Sequence, residues 1–324
     1  MLQRRSLLAA PLVLSALPAR AQTASYPQRP VRVVIPWPPG QATDLAARIV
    51  MHRLSETMGQ PFVAENRAGA GGMIGTDLAA KAPPDGYTLL AGSTGPIVTA
   101  PLVQRTPYDS EKDFTWLGIT GLSAYVLVVP PNFPAQNAAE FVALVRADPG
   151  KYSFSSSGTG ATAHVIAAWF HALAGLDVVH IPFAGSGPAL SAVAGGHVNF
   201  SVETLAATGP LIRSGSLRAL GISLKNGSEL APNIPPLARL PGCEDFDAGA
   251  WIGLMGPANL PAAVVQQLDT AIGSAMRERE MRERMATAGL EPQHHGAAAM
   301  AQYASRQRVA FRDAIRRANI RIDG

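Results

Sequence analysis

Two stretches of the chain join a buried-strand pattern to a loop of Gly, Pro, Ser and Thr, then to a helix that opens on small hydroxyl residues. The first runs from Val31-Arg32-Val33-Val34-Ile35 through Pro36-Trp37-Pro38-Pro39-Gly40-Gln41-Ala42-Thr43-Asp44. The second runs from Tyr152-Ser153-Phe154-Ser155 through Ser156-Ser157-Gly158-Thr159-Gly160-Ala161-Thr162-Ala163-His164. A helix start leaves backbone N–H groups without partners and carries the positive end of the helix dipole, so each loop is a place for an anion. One such loop is common. Two, in different halves of a chain, read as jaws closing on a small anion.

Taken alone, the first loop is better explained as an ordinary strand-to-helix turn, with Thr43 or Asp44 capping the helix. An Asp is an awkward neighbour for an anion, so its expected roles are to cap, to order water, or to receive an ammonium or hydroxyl. The second loop is the stronger signal, because Ser155, Ser156, Ser157, Thr159 and Thr162 crowd hydroxyls around Gly158 and Gly160. No Lys follows the glycines and the spacing departs from G-x-x-x-x-G-K-[ST], so a compact acid fits better than a nucleotide. His164 lies one turn inside the helix, where packing is the commoner role and donation to a ligand the sharper one. Ala91-Gly92-Ser93-Thr94-Gly95 and Ala184-Gly185-Ser186-Gly187-Pro188 add a third and a fourth loop, each following a strand. Ligands of open α/β sheets collect at such strand ends.

A nucleophile reading has weaker support. Ser93, Ser157 and Ser186 sit on glycine-flanked loops, but none lies in a G-x-S-x-G elbow. His294-His295 falls in an expected C-terminal turn without neighbouring acidic ligands, and no H-E-x-x-H or other metal spacing occurs. No cofactor and no metal are expected. A secreted hydrolase or transferase acting on small acidic substrates through a loop Ser stays as the alternative. The run Arg277-Glu278-Arg279-Glu280-Met281-Arg282-Glu283-Arg284 alternates charge and reads as a solvated helix face.

The amino terminus sets the compartment. Arg4-Arg5 precedes an apolar run from Leu7 to Leu17, then Pro18 and Ala19-Arg20-Ala21, the pattern of a secretory leader cleaved after Ala21. The apolar run is too short to span a bilayer. Arg4-Arg5-Ser6-Leu7-Leu8 also loosely matches a twin-arginine leader, so either that route or the general secretory one is open. Of 324 residues, 27 are Lys or Arg and 23 Asp or Glu. Without Arg4, Arg5 and Arg20 the two signs nearly balance and no basic stripe remains, which argues against a nucleic-acid partner. Cys243 is the only cysteine, so no internal disulfide forms. With 47% hydrophobic residues the chain has material for a sizeable core, and its length fits about two domains.

The elements that position these loops alternate. Strand Val31–Ile35, helix Thr43–Met58, strand Pro61–Glu65, helix Ile74–Ala80 and strand Tyr87–Ala91 predict a mostly parallel sheet covered by helices. A strand at Tyr125–Val129 leads to a second set. It comprises helix Ala138–Ala147, strand Tyr152–Ser155, helix Ala161–Leu173, strand Val178–Ile181, helix Gly187–Ala194, strand Val198–Val202, a helix near Gly209–Ser214, and strand Leu217–Ser223. A strand at Trp251–Gly256 ends in Pro257, as Tyr125–Val129 ends in Pro130, and helices at Pro261–Met276, Met281–Ala288 and Met300–Ala318 close the chain. Two similar strands ending in Pro predict two crossings between domains. This favours a discontinuous first domain, residues 22–125 with 249–324, and a second at 126–248, over two domains in simple sequence order, because a double crossing makes a hinge opposite a cleft.

In this order, the loops resemble the periplasmic solute-binding proteins of tripartite tricarboxylate transporters, the Bug family. Further markers are Tyr26-Pro27 with Arg29-Pro30-Val31, Glu65-Asn66-Arg67-Ala68-Gly69-Ala70-Gly71-Gly72, and Asp85-Gly86-Tyr87-Thr88-Leu89-Leu90. His180-Ile181-Pro182-Phe183 and Gly195-Gly196-His197-Val198 complete the set. The resemblance spans essentially the whole exported chain. It implies a two-domain α/β fold of the type II periplasmic binding class, with a small organic carboxylate held between the domains by backbone N–H groups and ordered water. The expected acids are dicarboxylates, tricarboxylates, acidic amino acids or aromatic acids. Carried onto this chain, the site draws on Pro38, Gly40, Gln41, Ala42, Thr43, Asp44, Ser93, Ser157, Thr159, Ala161, Thr162, His164, Ser186 and Glu203. Glu203 stands where the family often has Asp. The implied partner is a membrane permease or a sensor domain, and the chain is expected to be a monomer. Departures from the family pattern are Gln41 for a usual Gly, Asn199 for a common Asp, and Phe183-Ala184 for a common Tyr-Lys pair.

Overall fold

The computed structural model describes residues 26–317; the leader expected at residues 1–21 lies outside them. Strand β1 (Val31–Ile35) is β-branched at every position but Arg32 and lies between β2 (Phe62–Asn66) and β3 (Thr88–Ser93), parallel to both. Val33 and Val34 point to opposite faces and both are fully buried, the mark of a sheet covered on two sides. Helix α1 (Ala42–Met58) connects β1 to β2 and stops at Gly59, which takes the left-handed conformation that a residue with a Cβ adopts only at a cost. Helix α2 (Met73–Ala80) connects β2 to β3. After β3 come a π-helical turn at Gly95–Thr99 and the short α3 (Ala100–Val103), neither foreshadowed by periodicity.

Strand β4 (Phe114–Val129) begins eleven residues earlier than its apolar core predicts. It unites two sheets. Phe114–Ala124 pairs with β9 (Gly249–Pro257), whereas Tyr125–Val128 pairs with β7 (Phe200–Thr204), so the strand changes neighbours between Ala124 and Tyr125. The second sheet also holds β5 (Ser153–Ser156), β6 (Val179–Pro182) and β8 (Arg218–Ile222), in the order β6-β5-β7-β4-β8. Its connecting helices are α4 (Ala138–Ala147), α5 (Thr162–Ala174), α6 (Ser186–Ala194) and α7 (Leu205–Arg213). Thr204 caps α7 by accepting from the Ala207 amide, so the helix starts four residues before the predicted Gly209 and contains Pro210. The chain then returns to the first sheet through β9 and finishes with α8 (Ala262–Arg277), α9 (Arg279–Thr287), β10 (Glu291–Gly296) and α10 (Ala297–Arg317).

Two expectations need correction. The first sheet is mixed rather than mostly parallel: β9 runs antiparallel to β3, and β4 antiparallel to β9. The reason is topological, because β9 arrives from the second sheet and not through a local crossover helix. His294-His295 lies in β10, antiparallel to β4, rather than in a turn. Glu291-Pro-Gln-His-His-Gly has no apolar alternation, so only its pairing with β4 makes it a strand.

One apolar cluster runs from Val34, Leu90 and Ile97 through Leu127 to Phe141, Phe154, Phe170 and Phe200, with Met300, Ala304 and Phe311 of α10 packed on it. A second fills the other face of the first sheet, where Val33, Ile35, Val50 and Leu54 meet Leu268 and Ile272 of α8. A third packs Val126 and Val128 against Leu190 and Val193. Where the chain crosses between sheets, Ser223 is fully buried. Its hydroxyl accepts from the Tyr125 amide at 2.9 Å and donates to the Ala248 carbonyl, tying β4 to the returning segment.

Candidate functional site

The loops after β1 and β5 face each other. From the end of β1, Trp37-Pro38-Pro39 carries the chain out to Gly40, whose φ of +84° suits only glycine. Gln41 occupies the N-cap position of α1 and makes no side-chain cap, so the first-turn amides are free for another partner. The expectation that Thr43 or Asp44 caps the helix does not hold. Asp44 is buried and spent on its own loop: it accepts from the Gly40 amide at 2.9 Å, from Arg48 Nε at 2.9 Å and from Asn66 Nδ2 at 2.8 Å. It stiffens the turn.

Across the gap, α5 starts after Ala161, again without a side-chain cap. Its loop is braced from behind. Ser156 Oγ lies 2.7 Å from His180 Nε2 and also accepts from the Gly158 amide, while His164 Nδ1 accepts from the Gly160 amide at 3.2 Å. The His164 and His180 rings stack 3.7 Å apart, and His171 meets Phe154 edge-on at 4.6 Å. Burial drives all three imidazoles down, His164 and His171 to about 3 and His180 to about 4, with the histidines adding mutual repulsion at the first two. They are neutral packing groups at physiological pH. The Ser156–His180 pair is not a nucleophilic dyad, since Ser156 is fully buried and its hydroxyl braces the loop.

Between the loops lies a cavity of about 30 Å³, room for a water or two. From the expected set it gathers Gln41, Ala42, Thr43, Ser93, Ser157, Thr162 and Glu203. Pro38 and Thr159 line an adjoining cleft of about 310 Å³, together with Gly69–Met73 and Pro182–Ala184. The other expected residues stand behind these walls. Gly40 and Asp44 form the first turn, Ala161 and His164 the second, and Ser186 donates to Glu203 Oε2 at 2.8 Å. Sequence reasoning missed Trp37, Ser123, Tyr125, Thr204, Ala250 and Ile252 in the cavity wall. Ser123 and Tyr125 lie where β4 passes between the sheets, and Ala250 and Ile252 lie in β9 where the chain re-enters the first sheet, so recognising those crossings as the cleft floor was the available signal. Trp37 fixes Ser93 by donating from Nε1 to Oγ at 3.1 Å.

No Lys, Arg or His lines the cavity. Its one ionisable acid, Glu203, is fully buried, and burial raises its pKa against the opposing pull of Ser186, Ser157 and Thr204. Burial likewise pushes Tyr125 upward, with Glu203 adding to it. Among the described residues no cluster of three metal-ligating side chains occurs, and no helix is long and apolar enough to cross a membrane. A larger groove of about 980 Å³ lies between Asn226–Pro236 and α9. It is open, mixes Arg239, Arg279 and Arg282 with Glu229 and Glu283, and lies away from both glycine-rich turns, so it is not the candidate site.

The two halves touch around the cleft. Thr99 Oγ1 donates to the Gly160 carbonyl at 3.1 Å, and a Cβ on Gly71 would lie 2.8 Å from the Thr159 carbonyl oxygen. Gly185 packs as closely on Pro38.

Residues 46–320 match the model of the tripartite tricarboxylate transporter family receptor. Protein BugT of Bordetella pertussis is 36% identical over 279 residues, covering 86% of this chain and 85% of its own. A Rhodopseudomonas palustris protein solved with adipate superimposes with a TM-score of 0.87 at 28% identity, over 91% of this chain and 99% of that one. MatC from the same organism, solved with malate, gives 0.84 at 28% identity over 90% and 100%. These neighbours share the two-lobed α/β fold of this chain, as does the periplasmic binding protein BugD, and the matched family is one of transporter receptors rather than enzymes. The chain belongs to the receptor family of the tripartite tricarboxylate transporters.

Proposed function

We propose that this protein captures a small organic carboxylate in the cleft between its two sheets and presents it to a membrane permease or a sensor domain. One observation carries the reading. Two uncapped helix starts, those of α1 and α5, converge from opposite sides on one cavity that no cationic side chain lines. Backbone amides and the Ser and Thr hydroxyls of the wall are then the groups left to hold an anion, at roughly 1.5–3 kcal/mol for each charge-assisted bond. A handful of these reaches the roughly 8 kcal/mol of micromolar binding. The adipate and malate held by the two structural neighbours support the solute class.

The domain division that serves this function is 22–125 with 249–324 for the first lobe and 126–248 for the second. The change of partners along β4 and the Ser223 tie support it. A cavity of about 30 Å³ is far smaller than the roughly 300 Å³ of a typical ligand pocket, so the lobes open to admit a solute. The proposed site is Gln41–Thr43, Ser93, Ser157, Thr162 and Glu203, with the remaining expected residues supporting these from behind. The protein acts in the periplasm after loss of a leader at residues 1–21, by the general secretory or the twin-arginine route, and works as a monomer.

The test is a thermal-shift and calorimetric screen of the mature chain against organic acids, adipate and malate among them. A bound acid at one hundred times its Kd adds about 2.7 kcal/mol of stability, a rise in melting temperature easily measured. If no carboxylate raises the melting temperature or releases heat, the capture reading is wrong.

A further inference from the structure

We propose that the solute carries an amino group beside its carboxylate, and that Glu203 together with Gln41 receives it; this rests on the capture function above. Glu203 lines the cavity from the end of β7 and is fully buried. Its two carboxyl oxygens differ. Oε2 accepts from the Ser186 hydroxyl at 2.8 Å and from the Thr204 amide at 3.2 Å, whereas Oε1 is buried with no hydrogen-bond partner. Opposite it, Gln41 lines the same cavity from the start of α1, and its Oε1 is also buried and unpartnered. Two unsatisfied acceptors in one enclosed space are costly, and a buried acceptor of this kind normally has a donor.

The hydroxyls around them bring no compensating charge: Ser186 serves Oε2, and Ser157 pulls on the same carboxyl without completing a hydrogen bond to Oε1. An arriving group with several N–H bonds resolves the deficit. An ammonium offers three donors and a hydroxyl only one, so an amino group can serve both acceptors at once. Charge points the same way, because Glu203 has no cationic neighbour in the cavity wall, and buried charges in proteins are paired. Burial holds the Glu203 carboxyl above its ordinary range, and a cation beside it would relieve that penalty. The Glu203 carboxyl also occupies the Ser186 hydroxyl and the Thr204 amide, donors that a second solute carboxylate would otherwise use. The solute's carboxylate is left to the α1 and α5 helix starts and its amino group to Glu203.

The experiment is calorimetry on the mature chain with matched acids that differ by the amino group alone: alanine and propionate, aspartate and succinate, glutamate and glutarate, phenylalanine and 3-phenylpropionate. The expected result is at least a tenfold preference for the amino member in a pair that binds. In Glu203→Gln that preference falls below threefold, and in Gln41→Gly it narrows independently. If every pair that binds shows less than a tenfold preference, the amino group is refuted while carboxylate capture stands. If the preference survives in both variants, folded by circular dichroism, the assignment to Glu203 and Gln41 is refuted. Should Glu203→Gln fail to fold, Gln41→Gly on the other lobe decides. Binding by no member of any pair, nor by any acid of the wider screen, would defeat the capture function itself.

Discussion

The histidine stack behind the Ser156–His164 loop should make stability fall steeply in mild acid, and His171→Leu should remove a defined share of that fall. His171 is fully enclosed, its Nε2 has no partner, and its ring meets Phe154 and Phe200 edge-on. The charged or titratable groups that act on it are His164 and His180. Burial first, then those two rings, lower its pKa from 6.5 to about 3. The folded state therefore binds fewer protons than the unfolded chain between these limits, so stability is fully present above about pH 6.5 and drains away as pH falls toward 3. At pH 5 an unfolded imidazole lies about 1.5 units below its pKa, which amounts to about 2 kcal/mol for His171 alone. His164 contributes a comparable amount and the partly exposed, solvent-screened His180 less, so the stack brings at least about 4 kcal/mol of acid sensitivity, a large share of the stability of many domains. The assay is urea denaturation at pH 8 and pH 5, followed by circular dichroism. Whatever the leucine costs or gains in packing is common to both conditions. The pH 8-to-5 loss should shrink by about 2 kcal/mol in the variant. An unchanged loss would mean that His171 titrates as freely when folded as when unfolded, and the packing account of the stack would fall.

Three further outcomes are expected. Gly71→Ala places a Cβ 2.8 Å from the Thr159 carbonyl oxygen at a φ of +62°, so it should prop the cleft open and weaken solute binding about tenfold, roughly 1.4 kcal/mol. Gly59→Ala has a similar φ with nothing within 4 Å, so it should lose stability without losing affinity; equal affinities for the two variants would refute the contact across the cleft. Ser223→Ala strands the Tyr125 amide at the crossing and should cost roughly 1–3 kcal/mol in denaturation, whereas a change under about 0.5 would show that the tie is idle. Asp44→Ala frees the Gly40 amide, Arg48 and Asn66 together, so affinity should drop several-fold although Asp44 stands outside the cavity wall; calorimetry showing unchanged affinity would overturn its bracing role.

Local chemistry determined much of this protein. β-Branched runs, glycines at helix ends and Ser-Gly-Thr loops marked β1, β5, α1, α5 and both turns that face the cavity, because these signals act within a few residues along the chain. The order of the loops was enough to point to the transporter receptor family. Tertiary structure alone decided three things. It extended β4 across two sheets and made a strand of Glu291–Gly296, since strand pairing depends on partners far away in sequence. It moved Asp44, His164 and Ser186 behind the cavity, because hydrogen bonds to Arg48, Gly160 and Glu203 determine which way each side chain turns. It also placed Tyr125 and Ile252 on the cleft floor and left Gln41 and Glu203 with unanswered acceptors, for burial and satisfaction are properties of assembled space rather than of any segment.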